Sequence, residues 1–428
     1  MAVTSLESLS SIIDVSRRNL RVVVSGNGAV PWTVVGALDE LLPGYRLHML
    51  NAPAGLPDRT GVVLESAFVG VGMRRSDRLA YLPCRLSQVP RLFARRLPVD
   101  IVLLHTSTPI NNKVSMGIEV NILPAAIESA KAHGGIVIAQ ANPHMPYTYG
   151  DGEYDVSIFD AIIEVDEPLG GHSVQAQTAA GAKAVKAPAA PSKGIDRVES
   201  AQIIGRLVSD RISDGSTLQM GIGEIPDATL AGLLAKKGLG IWTEMLADGV
   251  LALDDAGALD PDRMLVSSFV HGSATLNEWV HRNDRVRILR TETTNAPSNI
   301  SKNPLMTSIN TALQVDLLDQ ANASRIRARI HSGFGGQTDF TVGAMHAPGG
   351  QAIMALRSWH PKADQSTIVP LLDEPVTSFQ HTAVVTENGV AEIHGCDENT
   401  QAANLIEFAA HPRIRDELWE EAVSLGLV

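Results

Sequence analysis

The chain is poor in cysteine. Its 428 residues include only Cys84 and Cys396. Two thiols are too few for a disulfide framework or a cysteine-rich metal site, and without a secretory signal they fit a reducing cytoplasm. The N-terminal MAVTSLESLSSIIDVSRR has no long apolar stretch behind a basic start, so it does not read as an export signal. No run of 18 apolar residues predicts a membrane-spanning helix. Positive charge is also in short supply: 35 Lys and Arg stand against 47 Asp and Glu, a net charge of −12. That balance argues against nucleic acid or an anionic membrane as the main partner, while leaving room for a locally basic pocket around one anionic ligand.

Several familiar chemistries are missing as motifs. There is no GxSxG elbow for a serine hydrolase, no GxxxxGK[ST] phosphate loop and no HExxH, and the 13 histidines do not cluster at metal spacing. Gly26-Asn27-Gly28 follows a strand-like run but lacks the third glycine of a dinucleotide fingerprint, so a strand-to-helix turn is the simpler reading.

What is present is an α/β pattern. Short runs rich in Val, Ile and Leu at 21–25, 61–69, 100–105, 135–140 and 158–165 alternate with helix-like stretches such as 123–133. Continuous apolar strands between helices predict a mostly parallel sheet covered on both faces. Residues 179–193, AAGAKAVKAPAAPSK, read as a connector between two halves. The second half restarts with an amphipathic helix at 200–212, whose apolar stripe is Ile203, Ile204, Leu207, Val208 and Ile212. Strands are expected at 217–222, 239–243, 265–270, 286–289, 307–315, 351–356 and 382–386, and a helical C-terminus from 400 to 427 broken at Pro412. At roughly 150 residues per domain the length suits two or three domains; the division expected here is 1–190 and 191–428.

Three segments of the second half carry polar groups at element ends. GIGEIPDA, residues 221–228, follows an apolar strand and opens a helix with Pro226 in its first turn, where glycines admit a ligand to the backbone and the helix N-terminus favours an anion. TEMLADG, residues 243–249, places Glu244 at a strand end, where a carboxylate acts as a base, as a nucleophile, or simply as a helix-start residue facing the dipole. GFGGQTDF, residues 333–340, leaves backbone N–H groups open to a developing oxyanion, or forms a bulge or loop.

In this order the three segments closely resemble the acetyl-CoA hydrolase/transferase family, the family I CoA-transferases. Its members carry G-x-G-x-[IL]-P-[DN]-A, T-E-[MV]-x-x-D-G and G-x-G-G-Q-x-D-F. Further matches such as YLPCRLSQVPRLF, VIAQANPHMPYTYGD, ISKNPLMTSINTALQVDL and VVTENGVAEIHG extend the resemblance over nearly the whole chain. The resemblance implies two similar open α/β domains of the NagB/RpiA-like CoA-transferase type, with the active site in the cleft between them, and a homodimer or higher homo-oligomer. It implies CoA transfer between an acyl-CoA and a free carboxylic acid through a glutamyl-CoA thioester, with acyl-CoA hydrolysis by the same glutamate as the alternative. A non-catalytic ligand-binding protein on the same fold is a second alternative. No tightly bound cofactor or metal is implied; coenzyme A and small carboxylic acids are substrates.

Residue by residue, the resemblance makes Glu244 the catalytic glutamate. Asn310 and the Gly335–Gly336 backbone become candidate oxyanion donors, and Glu387 of VVTENG a second glutamate near the site. Gly221, Gly223, Ile225, Gln337 and Lys362 become candidate CoA-binding residues. Two stretches depart from the family pattern. TSTPINNKVSMGIEV has no aspartate after Pro109, and TSFQHTAVVTE has Gln380 where an arginine is common. The acyl preference of other members therefore does not transfer.

Overall fold

A computed structural model describes residues 4–170, 197–376 and 380–428. The connector expected at 179–193 lies outside the described residues, as do Thr377 to Phe379 of the divergent TSFQHT stretch. The chain forms two compact units: Met1–Pro191 with Val266–Thr294, and Ser192–Leu265 with Asn295–Val428. This differs from a single division at 190/191, because Val266–Thr294 packs with the first unit. Backbone bonds show how: Arg282 N–H donates to Tyr147 O at 2.8 Å and Ile288 N–H to Tyr149 O at 2.9 Å. Nothing in the composition marks the points where this excursion leaves and rejoins its unit.

The first unit is built on a seven-stranded parallel sheet. In chain order the strands are β1 (Arg21–Val24), β2 (Tyr45–His48), β3 (Val62–Ser66), β4 (Leu79–Tyr81), β5 (Ile101–Thr106), β6 (Ile136–Ala141) and β7 (Ala161–Glu164), in spatial order β4-β3-β2-β1-β5-β6-β7. The central β5 is buried at every position, which is why its first four residues, IVLL, are continuously apolar rather than alternating. Helix α1 (Trp32–Leu41) follows β1, and α2 (Leu123–Ala132) joins β5 to β6. Helix α2 starts with Pro124 in its first turn, where a missing N–H costs nothing. Gly134 just past its end is left-handed at φ 70°.

The second unit has a six-stranded sheet. Its strands are β8 (Thr217–Met220), β9 (Gly240–Ile241), β10 (Met306–Asn310), β11 (Gln351–Ala355), β12 (Ala383–Thr386) and β13 (Gly389–Glu392), in spatial order β9-β8-β10-β11-β12-β13. All neighbours are parallel except β12 and β13, which form an antiparallel hairpin. The chain moves outward from β8 to β9 and then returns to the other side of β8 to place β10. Adjacent strands whose connections leave in opposite directions open a crevice at their carboxyl ends, and that is where ligands bind in such sheets.

Helix α3 (Arg197–Asp210) lies against α4 (Glu224–Leu233). Small residues permit the close approach: a Cβ on Gly205 would come within 2.5 Å of the Ala228 carbonyl carbon, and one on Gly232 within 2.2 Å of Ser209 Oγ. Ile204 and Val208 of the expected stripe are fully buried, each contributing about 1.5–3 kcal/mol of apolar burial. This packing fixes the N-terminus of α4 at the end of β8.

Three expected strands are interrupted. Residues 307–315 divide into β10 and a separate Gln314–Asp316, residues 265–270 into Leu265–Ser267 and Phe269–Val270, and only Gly240–Ile241 of 239–243 pairs in the sheet. The C-terminus is helical but includes a π-helical turn at Leu405–Ala409 before helix Arg415–Leu425. Among the described residues no helix is long and apolar enough to cross a membrane.

Candidate active site

Glu244 stands just beyond β9. The chain still follows β8 at Trp242, whose N–H donates to Leu218 O at 3.1 Å. The Glu244 side chain then turns to three neighbours within its own unit. Asn295 Nδ2 donates to Glu244 Oε2 at 2.7 Å. Gly336 is so close that a Cβ on it would fall 1.9 Å from Oε2 and 2.4 Å from Asn295 Nδ2. Its φ of −93° suits any residue, so glycine is required here for space alone. The third neighbour is Asp339, fully buried in the first turn of helix α5 (Gln337–Met345).

This setting controls the protonation of Glu244. Burial of the carboxyl, opposed by the Asn295 hydrogen bond and reinforced by the negative charge of Asp339, pushes its pKa up to about 7. The residue retains some surface, but the enclosing atoms exclude enough water from the carboxyl for burial to dominate. A carboxylate desolvated in this way is more basic and more nucleophilic than an ordinary surface glutamate.

A pocket of about 280 Å³ opens at the carboxyl ends of β8, β10 and β11. It is lined by Gly221 and Ile222 after β8, Ile309, Asn310 and Thr311 at the end of β10, Ala355 and Arg357 at the end of β11, Gln337 at the start of α5, and Glu224, Ile225 and Pro226 at the start of α4. It therefore occupies the crevice that the strand order creates. Gly221, Ile225, Asn310 and Gln337, each expected from the sequence, meet here. An adjoining pocket of about 360 Å³ shares Arg197, Ile225, Thr311 and Arg357 and adds Trp359, His360 and Lys362. The Arg413 guanidinium sits 4.6 Å from the centre of the Trp359 ring.

The other expected residues have distinct surroundings. Gly223, at φ 117°, precedes the first residue of α4, and Gly335, at φ 57°, is left-handed in the loop before α5; both positions favour glycine by backbone conformation. Asn310 Nδ2 donates to Ser308 Oγ at 2.8 Å and to Gln219 Oε1 at 3.2 Å, so both of its N–H bonds point into the strand ends. Glu387, after β12, accepts from Ser358 N–H at 3.0 Å and from Ser358 Oγ. It thereby holds the turn between Arg357 and Trp359.

Asn295, Asp339, Arg357, Arg197 and Glu224 join the expected residues at these sites. Asp339 was within reach of the sequence, since it lies in the glycine-loop motif itself. Asn295 was not, because 51 positions separate it from Glu244 and no local spacing connects them. Among the described residues no group of three or more His, Cys, Asp or Glu is arranged to hold a metal ion.

Comparison with known proteins identifies the family of the chain. Residues 272–422 match the model of the acetyl-CoA hydrolase/transferase C-terminal domain. The chain is 39% identical to a 4-hydroxybutyrate coenzyme A transferase of Clostridium kluyveri over 98% of its length and 96% of the relative's. It is 33% identical to a succinyl-CoA:acetate/propanoyl-CoA:succinate CoA transferase of Fasciola hepatica, over 94% of this chain and 84% of that one. Among solved structures, a 4-hydroxybutyrate CoA-transferase of Porphyromonas gingivalis superposes with a TM-score of 0.76 at 29% identity, covering 99% of this chain and 97% of that one. RipA of Yersinia pestis superposes at 0.84 with 25% identity, covering 100% and 98%. With a relative of this similarity spanning nearly its full length, the chain belongs to the acetyl-CoA hydrolase/transferase family of CoA-transferases.

Proposed function

We infer that this enzyme moves CoA from a short acyl-CoA to a free carboxylic acid, with the Glu244 carboxylate as covalent nucleophile. The observation that carries this reading is the Glu244 carboxyl itself, enclosed, raised to about 7, oriented by Asn295 and pressed against the Gly336 backbone. A carboxylate oxygen attacks the thioester carbonyl, the C–S bond breaks, and CoA leaves as thiolate, giving an acyl-glutamyl anhydride. The thiolate attacks the glutamyl carbonyl, the C–O bond breaks, and the first acid leaves, with Glu244 now joined to CoA as a thioester. A second carboxylate reverses these steps and departs as the new acyl-CoA. The energy of the thioester is kept throughout, so no ATP or metal enters the sequence. Backbone N–H groups of the Gly335–Gly336 loop, next to the carboxyl, are the natural donors to the tetrahedral oxyanions, each worth about 2.7–4 kcal/mol where such donors have been removed in other enzymes.

The pH dependence follows from the same carboxyl. Only ionised Glu244 attacks, so log(kcat/KM) for acyl-CoA rises with unit slope as pH approaches about 7 and levels off above it. A pH–rate profile of the free enzyme checks this; a profile flat from pH 5 to 8 contradicts it. Asn295→Ala removes the hydrogen bond that favours the charged form, so the acid limb moves to higher pH. The lost charged hydrogen bond lowers kcat about 10- to 100-fold. Steady-state profiles of the variant and the parent separate the two effects.

Transfer and hydrolysis use the same glutamyl-CoA thioester and differ in what attacks it: a carboxylate leads to a new acyl-CoA, whereas water attacks the glutamyl carbonyl, breaks the C–S bond and releases free CoA. Acetyl-CoA incubated with a panel of carboxylates, beginning with 4-hydroxybutyrate, succinate, butyrate and propionate, is expected to yield the new acyl-CoA with little free CoA. Equal release of free CoA with and without an acceptor would assign the enzyme to hydrolysis.

A further inference from the structure

The pocket wall contains an ion-pair cluster that the transfer chemistry does not use. Glu224 opens helix α4, and its Oε2 accepts from Arg197 Nε at 2.8 Å and from the Arg357 guanidinium. The three side chains meet where the two pockets join: both pockets include Arg197 and Arg357, and Glu224 lines the first. Arg357 Nε is buried and has no hydrogen-bond partner among the described residues. The backbone at this point is that of an anion site: the N-terminal turn of the ten-residue α4 follows Gly221 and the left-handed Gly223, with no side chain capping it. A cleft of this kind attracts a multiply charged anion, yet its two arginines converge on an internal carboxylate. In a chain of net charge −12, such a local pair of cations is the feature that an anionic ligand needs.

We propose that Arg357 and Arg197 form a phosphate seat in this pocket, and that the Glu224 carboxylate occupies it as an internal competitor which the phosphate groups of CoA displace. The proposal rests on the CoA-transferase reading for the identity of its ligand. Its chemistry is electrostatic and moves no covalent bond. A phosphate oxygen takes the place of Glu224 Oε2 on the two guanidinium groups, and its further oxygens offer Arg357 Nε the acceptor it lacks. Arginine suits this role because its planar fork matches a phosphate in two-point contact. Glu224 then turns to solvent, which is open to it because its side chain is 42% exposed in the ion pair. The arrangement makes CoA affinity a difference between two ion pairings, so Glu224 lowers affinity and aids product release.

The test is calorimetric titration of the full-length protein with CoA and, separately, with pantetheine, which lacks the phosphates. Arg357→Ala is expected to weaken CoA about 10- to 100-fold, the scale of a lost charged hydrogen bond, and to leave pantetheine unchanged. Glu224→Gln is expected to tighten CoA about 3- to 5-fold, the worth of an exposed ion pair that CoA no longer breaks, again without effect on pantetheine. Inorganic pyrophosphate should compete with CoA in the parent and fail to do so in Arg357→Ala. Because Glu224→Gln preserves size, its folding is not in question, and Arg357→Lys gives a second check by keeping charge while losing the fork. Weaker or unchanged CoA binding in Glu224→Gln overturns the proposal, as does an equal loss for CoA and pantetheine in Arg357→Ala. These readouts require no turnover, so the seat stands or falls separately from the nucleophile.

Discussion

Glu244→Gln abolishes transfer and, at the same time, stabilises the protein above pH 7. The rate loss is on the order of 10⁴-fold or more in kcat, the scale for removing a covalent nucleophile or its partners. The amide retains the shape of the side chain, and it has no anionic oxygen with which to attack. The gain in stability comes from linkage. The folded-state pKa of Glu244, about 7, lies above the unfolded value near 4.5, so the folded state holds the proton more tightly. Ionised Glu244 therefore costs stability, and the cost grows as pH rises from about 4.5 to about 7 and stays in full above that. At 1.36 kcal/mol per pH unit the ceiling is on the order of 3 kcal/mol, reduced by the solvent contact the residue retains. Thermal unfolding at pH 8 should show the variant more stable than the parent, and at pH 4.5 the difference should vanish. Loss of activity with equal loss of stability at pH 8 would mean that Glu244 is a structural residue.

The second large effect belongs to Gly336→Ala. A single methyl group there cannot coexist with the observed carboxyl, since its carbon would lie 1.9 Å from Glu244 Oε2 and 2.4 Å from Asn295 Nδ2. Either Glu244 swings away from Asn295 or the loop before α5 retreats, and both misplace the attacking oxygen by about an ångström. Misplacement on that scale costs about 10²-fold in kcat. Gly36→Ala is the matched control. Gly36 is an exposed position in helix α1 with nothing within 4 Å of an added Cβ, so alanine there should leave kcat unchanged and add up to about 1 kcal/mol of helix stability. Steady-state kinetics and thermal unfolding of the two variants distinguish a steric effect at the site from a general effect of removing glycine.

Much of the scaffold was legible because parallel sheets leave a strong local trace. The runs that became β1, β5, β6, β8 and β11 are short, apolar and bounded by polar or glycine residues, and each falls within a residue or two of its expected position. The amphipathic stripe of α3 was equally plain. Legibility failed where pairing is set by distant neighbours. Tyr45–His48 reads YRLH, too polar to announce a strand, yet it pairs with β1 and β3 inside the sheet. Residues 307–315 read as one strand because nothing local shows that β10 must end at Asn310 to open the crevice.

The site divides in the same way. Glu244, Gly221, Ile225, Gly336 and Gln337 lie in short motifs whose residue types mark a strand end or a helix start. Asn295 contacts Glu244 only through the folded chain. The Glu224–Arg357 pair joins residues 133 positions apart, and it forms only because the sheet brings the ends of β8 and β11 to either side of β10. Asn310, marked by resemblance as an oxyanion donor, has its Nδ2 on Ser308 and Gln219 in this structure, and Asn295 is the amide that touches the carboxyl.

A covalent bond to Glu244 can be trapped. The enzyme is incubated with acetyl-CoA, reduced with borohydride, digested and examined by mass spectrometry. Borohydride supplies hydride to a glutamyl thioester and converts it to the alcohol, with release of CoA thiol, whereas a free carboxylate is left alone. Residue 244 should be reduced to the alcohol only when acetyl-CoA is present, with no modification in Glu244→Gln. Full turnover with an unmodified Glu244, or reduction at another carboxylate, would contradict it.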